Sequence, residues 1–197
     1  MRLYYFLFPA LILSINSIAQ KVNYKWNIET NYSIIPEEGF GGKSNIIELG
    51  LKYRFINSEL LNLGVSFNTG YSQKNLDEFN IEGKIKSYYF QPRLISELYI
   101  PSLVRLRPTI GLGYSIVNEN SSSISMGKEE SINTTNGGFN LNLGLIYNIS
   151  NRFFVQTQYD FINLNVRDEY TIQGELVNPN FNEKLNNLKV GIGLRFN

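Results

Sequence analysis

Histidine and cysteine are both missing from the 197 residues. Without cysteine there are no disulfides and no thiolate metal sites. Without histidine the chain lacks the side chain most often used for general acid–base work. An excess of charge is missing too: 18 Lys and Arg stand against 17 Asp and Glu. A nucleic-acid footprint needs a basic excess, so that class is excluded. Past Leu13 no apolar run is long enough for a transmembrane helix. A membrane location would then require a closed barrel, because an open sheet leaves unpaired backbone groups in lipid. What the chain has in abundance is Tyr and Phe, 13 of each, beside a single Trp.

Eight segments alternate apolar with polar or small residues. The first runs from about Val22 to Ile34, with Val22, Tyr24, Trp26, Ile28, Thr30, Tyr32 and Ile34 on one face. The second carries Ile47, Leu49, Leu51, Tyr53 and Phe55, and the third Leu61, Leu63, Val65, Phe67, Thr69 and Tyr71. Tyr88 to Ile100, Leu106 to Ile116, Phe139 to Ile149 and Phe153 to Phe161 continue the pattern. The last has Leu188, Val190, Ile192, Leu194 and Phe196 on one face. A period of 2 sustained this way predicts strands. Each segment has roughly the 9–11 residues that a tilted strand needs to cross a bilayer. In the seventh, apolar residues move to even positions at Ile162, Leu164 and Val166. A β-bulge near Phe161-Ile162, or a strand rising beyond the bilayer there, would account for the change.

The opposite face carries Glu29, Glu48, Lys52, Arg54, Arg93, Glu97, Arg107, Asp160, Lys189 and Arg195, together with Gly50, Gly64, Gly70, Gly111, Gly113, Gly144, Gly191 and Gly193. Glycine weakens a strand, so its restriction to one face needs a reason. An eight-stranded barrel has an interior just wide enough for side chains. Glycine there leaves room for long charged groups to lie across it and pair. The pattern predicts a barrel that is apolar outside, with those ten charges as a network in its lumen.

Links alternate in length. Short ones sit near Ile56–Leu60, Pro101–Val104 and Ser150–Arg152; long ones at Pro36–Ser44, Ser72–Ile85, Asn118–Gly138 and Asn165–Asn187. Transmembrane barrels have short periplasmic turns and long external loops. The third long link, with Ser121-Ser122-Ser123 and Asn133-Thr134-Thr135-Asn136, is polar, turn-rich and expected to be mobile. Aromatic residues gather near strand ends, as expected of rings at headgroup level.

The two termini agree. Met1-Arg2, an apolar run from Leu3 to Leu13, and small residues at Ser17 and Ala19 read as a secretory leader of residues 1–19, cleaved before Gln20. No cysteine follows, which excludes a lipoprotein anchor. With Arg2 removed, acids and bases balance at 17 each.

These features resemble a small bacterial outer-membrane β-barrel of the OmpA/OmpX type, over essentially the whole mature chain. The resemblance implies an all-β, eight-stranded antiparallel up-and-down transmembrane barrel spanning residues 20–197. It implies a monomer in contact with outer-membrane lipid. Lys189-x-Gly191-x-x-Leu194-x-Phe196 is similar to the C-terminal signal by which such chains reach the barrel assembly machinery; the family usually ends on the aromatic, and here Asn197 follows. The richness in Asn, Tyr and Ile is similar to barrels of Bacteroidetes-like bacteria.

The resemblance is architectural and carries over no site. A non-enzymatic barrel with a structural, adhesive or ligand-contacting role through its loops is the leading expectation, with no cofactor and no metal. A narrow porin-like channel is the alternative, and a soluble lipocalin-like binding barrel a weaker one. Outer-membrane proteases, phospholipases and lipid A-modifying enzymes resemble one another in using a catalytic His, which this chain lacks. An Asp/Glu or Ser-Lys pair remains chemically possible, with no motif pointing to one. Glu129-Glu130 and Asp168-Glu169 read as solvated loop charges or cation contacts. Gly111-x-Gly113 and Gly191-x-Gly193 lack the following helix that a phosphate loop needs.

Overall fold

The alternating segments all form strands, β1 (Trp26–Ile35), β2 (Ile46–Asn57), β3 (Leu61–Glu78), β4 (Ile81–Leu98), β5 (Leu106–Ser125), β6 (Lys128–Asn148), β7 (Phe153–Arg167) and β8 (Asn180–Phe196). Each pairs antiparallel with its neighbours in the chain, and β8 pairs with β1 from Trp26↔Phe196 to Ile35↔Leu188, so the sheet closes into a barrel. This computed structural model describes residues 24–197 apart from 36, 40–41, 59, 79–80, 126–127, 168–169, 173–174 and 178–179. The predicted leader, its Ala19-Gln20 cleavage point and Asp168-Glu169 lie outside the described residues.

One end of the barrel has short turns. Ser58 closes the β2–β3 turn, accepting from the Leu61 amide at 3.0 Å and donating to the Leu61 carbonyl at 2.6 Å. Ser150 accepts from the amides of Arg152 and Phe153 at the β6–β7 turn. A 3₁₀ turn, Pro101–Leu103, joins β4 to β5.

The other end differs from the expected loops. Most of the Asn118–Gly138 link is strand: β5 and β6 pair from Leu106↔Tyr147 out to Ser125↔Lys128. β3 and β4 likewise pair out to Glu78↔Ile81. Ser, Thr and Asn give this stretch no hydropathic contrast, yet the backbone ladder needs none. Short hairpins, Glu37–Gly39 with Gly42–Ser44 and Tyr170–Ile172 with Glu175–Val177, occupy two of the remaining links.

Outward faces are apolar over a band. It spans Leu188–Phe196 on β8, Phe153–Phe161 on β7 and Phe139–Tyr147 on β6, each near the roughly 9–11 residues of a membrane-crossing strand. Ile192 is 61% exposed and Leu94 64%, the reverse of a soluble lipocalin-like barrel. Rings rim the band, with Trp26 against Tyr53 (4.6 Å) toward the turn end and Tyr71 against Tyr88 (5.3 Å) toward the hairpin end.

β7 carries no bulge. Its register runs unbroken against both β6 and β8 through Phe161 and Ile162. The chemistry changes sides instead. Beyond Phe161 the outward residues are Asn163 and Asn165, while Ile162, Leu164 and Val166 point inward and are buried. β8 matches, with Lys184 and Asn186 outward and Leu185 inward. Where lipid ends and water begins, the apolar side must turn to the interior. Bulges occur elsewhere, between Arg54 and Ile56 on β2 and between Ser33 and Ile35 on β1. The first lets consecutive Phe55 and Ile56 both face outward.

Two prolines are accommodated without a register shift. The β4–β5 ladder skips Gln91 and Pro92 between Phe90↔Ile116 and Arg93↔Gly113. Pro92 has no N–H to give, and its carbonyl lies where a Cβ on Gly113 would be. Pro108 sits where that ladder has ended, just past Glu97↔Thr109.

Candidate functional site in the barrel lumen

Strand parity sends all ten predicted charges inward, and each is buried. Glycines open the space for two of them. A Cβ on Gly50 would stand 2.7 Å from Cγ of Glu29, and one on Gly70 would stand 2.9 Å from Cγ of Glu48.

The charges form three groups along the barrel. Nearest the hairpin end, the Lys189 ammonium bridges Glu48 (2.7 and 2.8 Å) and Asp160. Asp160 also takes Arg93 Nη2 at 2.9 Å and the Asn142 amide at 2.6 Å. In the middle, Lys52 pairs with Glu29 at 2.7 Å. Gln158 and Asn31 donate to Glu29 (3.3 and 3.4 Å), and Gln156 donates to Asn31 at 2.7 Å. Toward the turn end, Arg54 grips Glu97 with Nη2 at 2.7 Å and Nε at 3.1 Å, and gives Nη1 to Asn27 at 2.8 Å and to the Tyr24 carbonyl at 3.1 Å. A two-pronged pair of this kind is strong and directional. The amides were not singled out in the sequence. Their shared parity with the charges was the available sign.

Arg107 and Arg195 depart from the expected network. Among the described residues, neither has a carboxylate within ion-pair distance. The guanidinium of Arg195 lies 4.6 Å from the Phe154 ring centre, and that of Arg107 lies 5.6 Å from Tyr99.

A cluster of apolar side chains lies inside the barrel on the hairpin side of the charges. Ile46, Tyr89, Val117, Ile162, Leu164, Val166 and Leu185 form one buried cluster, with Phe181 packed against it. Ile95, Ile146 and Phe154 are buried below.

No group of three or more Asp or Glu side chains able to hold a metal occurs among the described residues. Of the serines facing inward, Ser115 accepts from the Asn140 amide (2.7 Å) and Ser87 donates to Glu119 (3.0 Å). Gly111-x-Gly113 and Gly191-x-Gly193 lie within strands β5 and β8. The Glu129-Glu130 side chains lie outside the described residues.

A family model described as the outer membrane protein beta-barrel domain matches residues 8–196. No curated protein matches the sequence. Among solved structures, the fold is similar to Neisserial surface protein A, 16% identical, over 87% of this chain and 97% of that one, with a TM-score of 0.58. It is similar to Ail, the attachment invasion locus protein of Yersinia pestis, 18% identical, over 88% and 99%, with a TM-score of 0.55. It is also similar to the outer membrane protein OprG from Pseudomonas aeruginosa, 13% identical, over 90% and 99%, with a TM-score of 0.55.

Proposed function

Because the chain belongs to the outer membrane protein β-barrel family, and so lies in the bacterial outer membrane, we propose that it is a non-conducting, non-enzymatic barrel that holds polar strands outside the cell for contact with a ligand or surface. One observation carries this reading: the lumen is spanned by paired charges and then covered by the apolar cluster around Ile162, Leu164 and Leu185. An apolar layer there would oppose the passage of ions, since a charge pays to enter it. The absence of His and Cys from the sequence supports a non-enzymatic role. The external faces of β5 and β6 are rich in Asn, Ser and Thr, with Asn118 donating across to Thr135 at 2.8 Å. Such a surface suits a polar or charged partner. The names of two similar structures, an attachment invasion protein and a surface protein, agree with a contact role.

A narrow channel is the second reading. Asn62, Ser66 and Asn68 have buried polar atoms without protein partners, and groups of that kind are normally satisfied by water. Planar-bilayer recording decides between the two. The wild type is expected to show no steady conductance. Leu164→Ala combined with Leu185→Ala, which thins the apolar layer, is expected to flicker open. A large and steady wild-type current would overturn the plug.

The reading extends to biogenesis. Residues 1–19 direct export, the mature barrel works as a monomer in outer-membrane lipid, and Lys189, Gly191, Leu194 and Phe196 address the chain to the barrel assembly machinery. Their place on the strand that closes the ring supports that role. Phe196→Ala is expected to lower the amount of barrel in the outer membrane several-fold. Purified protein carrying it is expected to refold into detergent nearly as well as wild type. A comparable loss in both assays would make Phe196 a stability residue and not an address.

A further inference from the structure

Three arginines and one glutamate share the turn end of the lumen. Glu97 is held by Arg54. Arg107 and Arg195 feel the charges of both but have no carboxylate of their own among the described residues. The cluster is left with two surplus positive charges. Arg195 is fully buried, and none of its three guanidinium nitrogens has a hydrogen-bond partner. Arg107 is 5% exposed and its Nε is equally unpartnered.

A buried cation with unused donors is costly unless something accepts from it. Phe154 lies against the Arg195 guanidinium. Its ring occupies the space where a Cβ on Gly193 would stand. A ring contact satisfies the face of a guanidinium and leaves its in-plane N–H groups available, an arrangement suited to a planar, two-pronged acceptor. In a low-dielectric interior, charge-assisted hydrogen bonds to such an acceptor are strong. Arg107 and Arg195 stand one residue in from the turn-end limits of β5 and β8, so the approach is from the periplasmic side.

We propose that Arg107 and Arg195 form a binding site for a small oxyanion of one or two negative charges, of the phosphate or carboxylate class, at the periplasmic end of the lumen. The occupant neutralises the surplus charge and ties β5 to β8.

The test uses the purified full barrel refolded in detergent micelles at neutral pH. Side-chain Nε–Hε NMR signals of Arg107 and Arg195 are assigned with Arg107→Gln and Arg195→Gln. They are then followed while sodium phosphate is titrated against sodium chloride at equal ionic strength. A saturable shift of both signals with phosphate, none for Arg152 in the exposed β6–β7 turn, and a phosphate-dependent rise in unfolding temperature that Arg107→Gln loses would support the site. Equal responses to chloride would reduce the effect to screening and overturn it. So would no saturable shift, or an undiminished temperature rise in Arg107→Gln. If Arg195→Gln does not fold, the wild-type titration and Arg107→Gln still decide the question.

Discussion

Lys189→Met is expected to destabilise the folded barrel by about 3–5 kcal/mol, the range for breaking a buried ion pair from one side. Lys189 is fully buried, and both oxygens of Glu48 accept from its ammonium. Asp160 keeps Arg93 and Asn142 after the substitution; Glu48 keeps no cation among the described residues. The loss therefore comes chiefly from a stranded carboxylate, and a second change can relieve it. Glu48→Leu added to Lys189→Met is expected to recover most of the deficit, since replacing a whole buried pair by apolar groups is often neutral. Urea unfolding in lipid vesicles, followed by the fluorescence of Trp26, measures both. A single-variant loss below about 1 kcal/mol, the range for exposed pairs, would mean that water already solvates Glu48 and that the pair is not a lock.

Ile192→Arg is expected to cost about 2–4 kcal/mol, the range for a cation at the bilayer midplane of a barrel. Ile192 points outward near the middle of the β8 band, beside Thr30 and Val155 on the flanking strands. Asn186 lies on the same face of the same strand, past the position where the outward chemistry becomes polar. Asn186→Arg is expected to cost only about 0–1 kcal/mol, as near an interface. The same unfolding assay compares them. Equal costs would show that the change of chemistry along β8 does not mark the edge of the lipid.

Much of this architecture was legible in the sequence because alternation assigns every strand residue to a side. Glu48 and Lys189 could both be placed in the lumen from parity alone. That they meet could not be read, because the partner depends on how far the strands are staggered around the ring. Ile162, Leu164 and Val166 are legible as an anomaly that fits either a bulge or a strand rising beyond the bilayer, and the unbroken register favours the second. Hydropathy reports which side faces the apolar medium, and beyond the bilayer that medium moves indoors, so the same signal arises from a straight strand. The true bulge on β2 had its own sign in the apolar doublet Phe55-Ile56. The outer halves of β5 and β6 were opaque because Ser, Thr and Asn on both faces leave only backbone pairing to define a strand. Among the lumen residues, the surplus of Arg107 and Arg195 was countable in advance, six cations against four carboxylates, but its location was not.

The bridge from Lys189 to Glu48 joins residues 141 positions apart, on the last strand and the second. Neither can reach the other until β8 has met β1 and the ring is shut. Each growing hairpin therefore holds its inward charges without their final partners, in a nascent sheet whose edge is still open. Closure delivers the seam hydrogen bonds and the ionic bridge in one event. Contacts of such long sequence separation form late, and interactions absent from a transition state govern escape rather than entry. Lys189→Met should then hasten unfolding far more than it slows folding. On this view the lumen charges act less as a scaffold than as a latch, which sets how long a finished barrel lasts in the membrane.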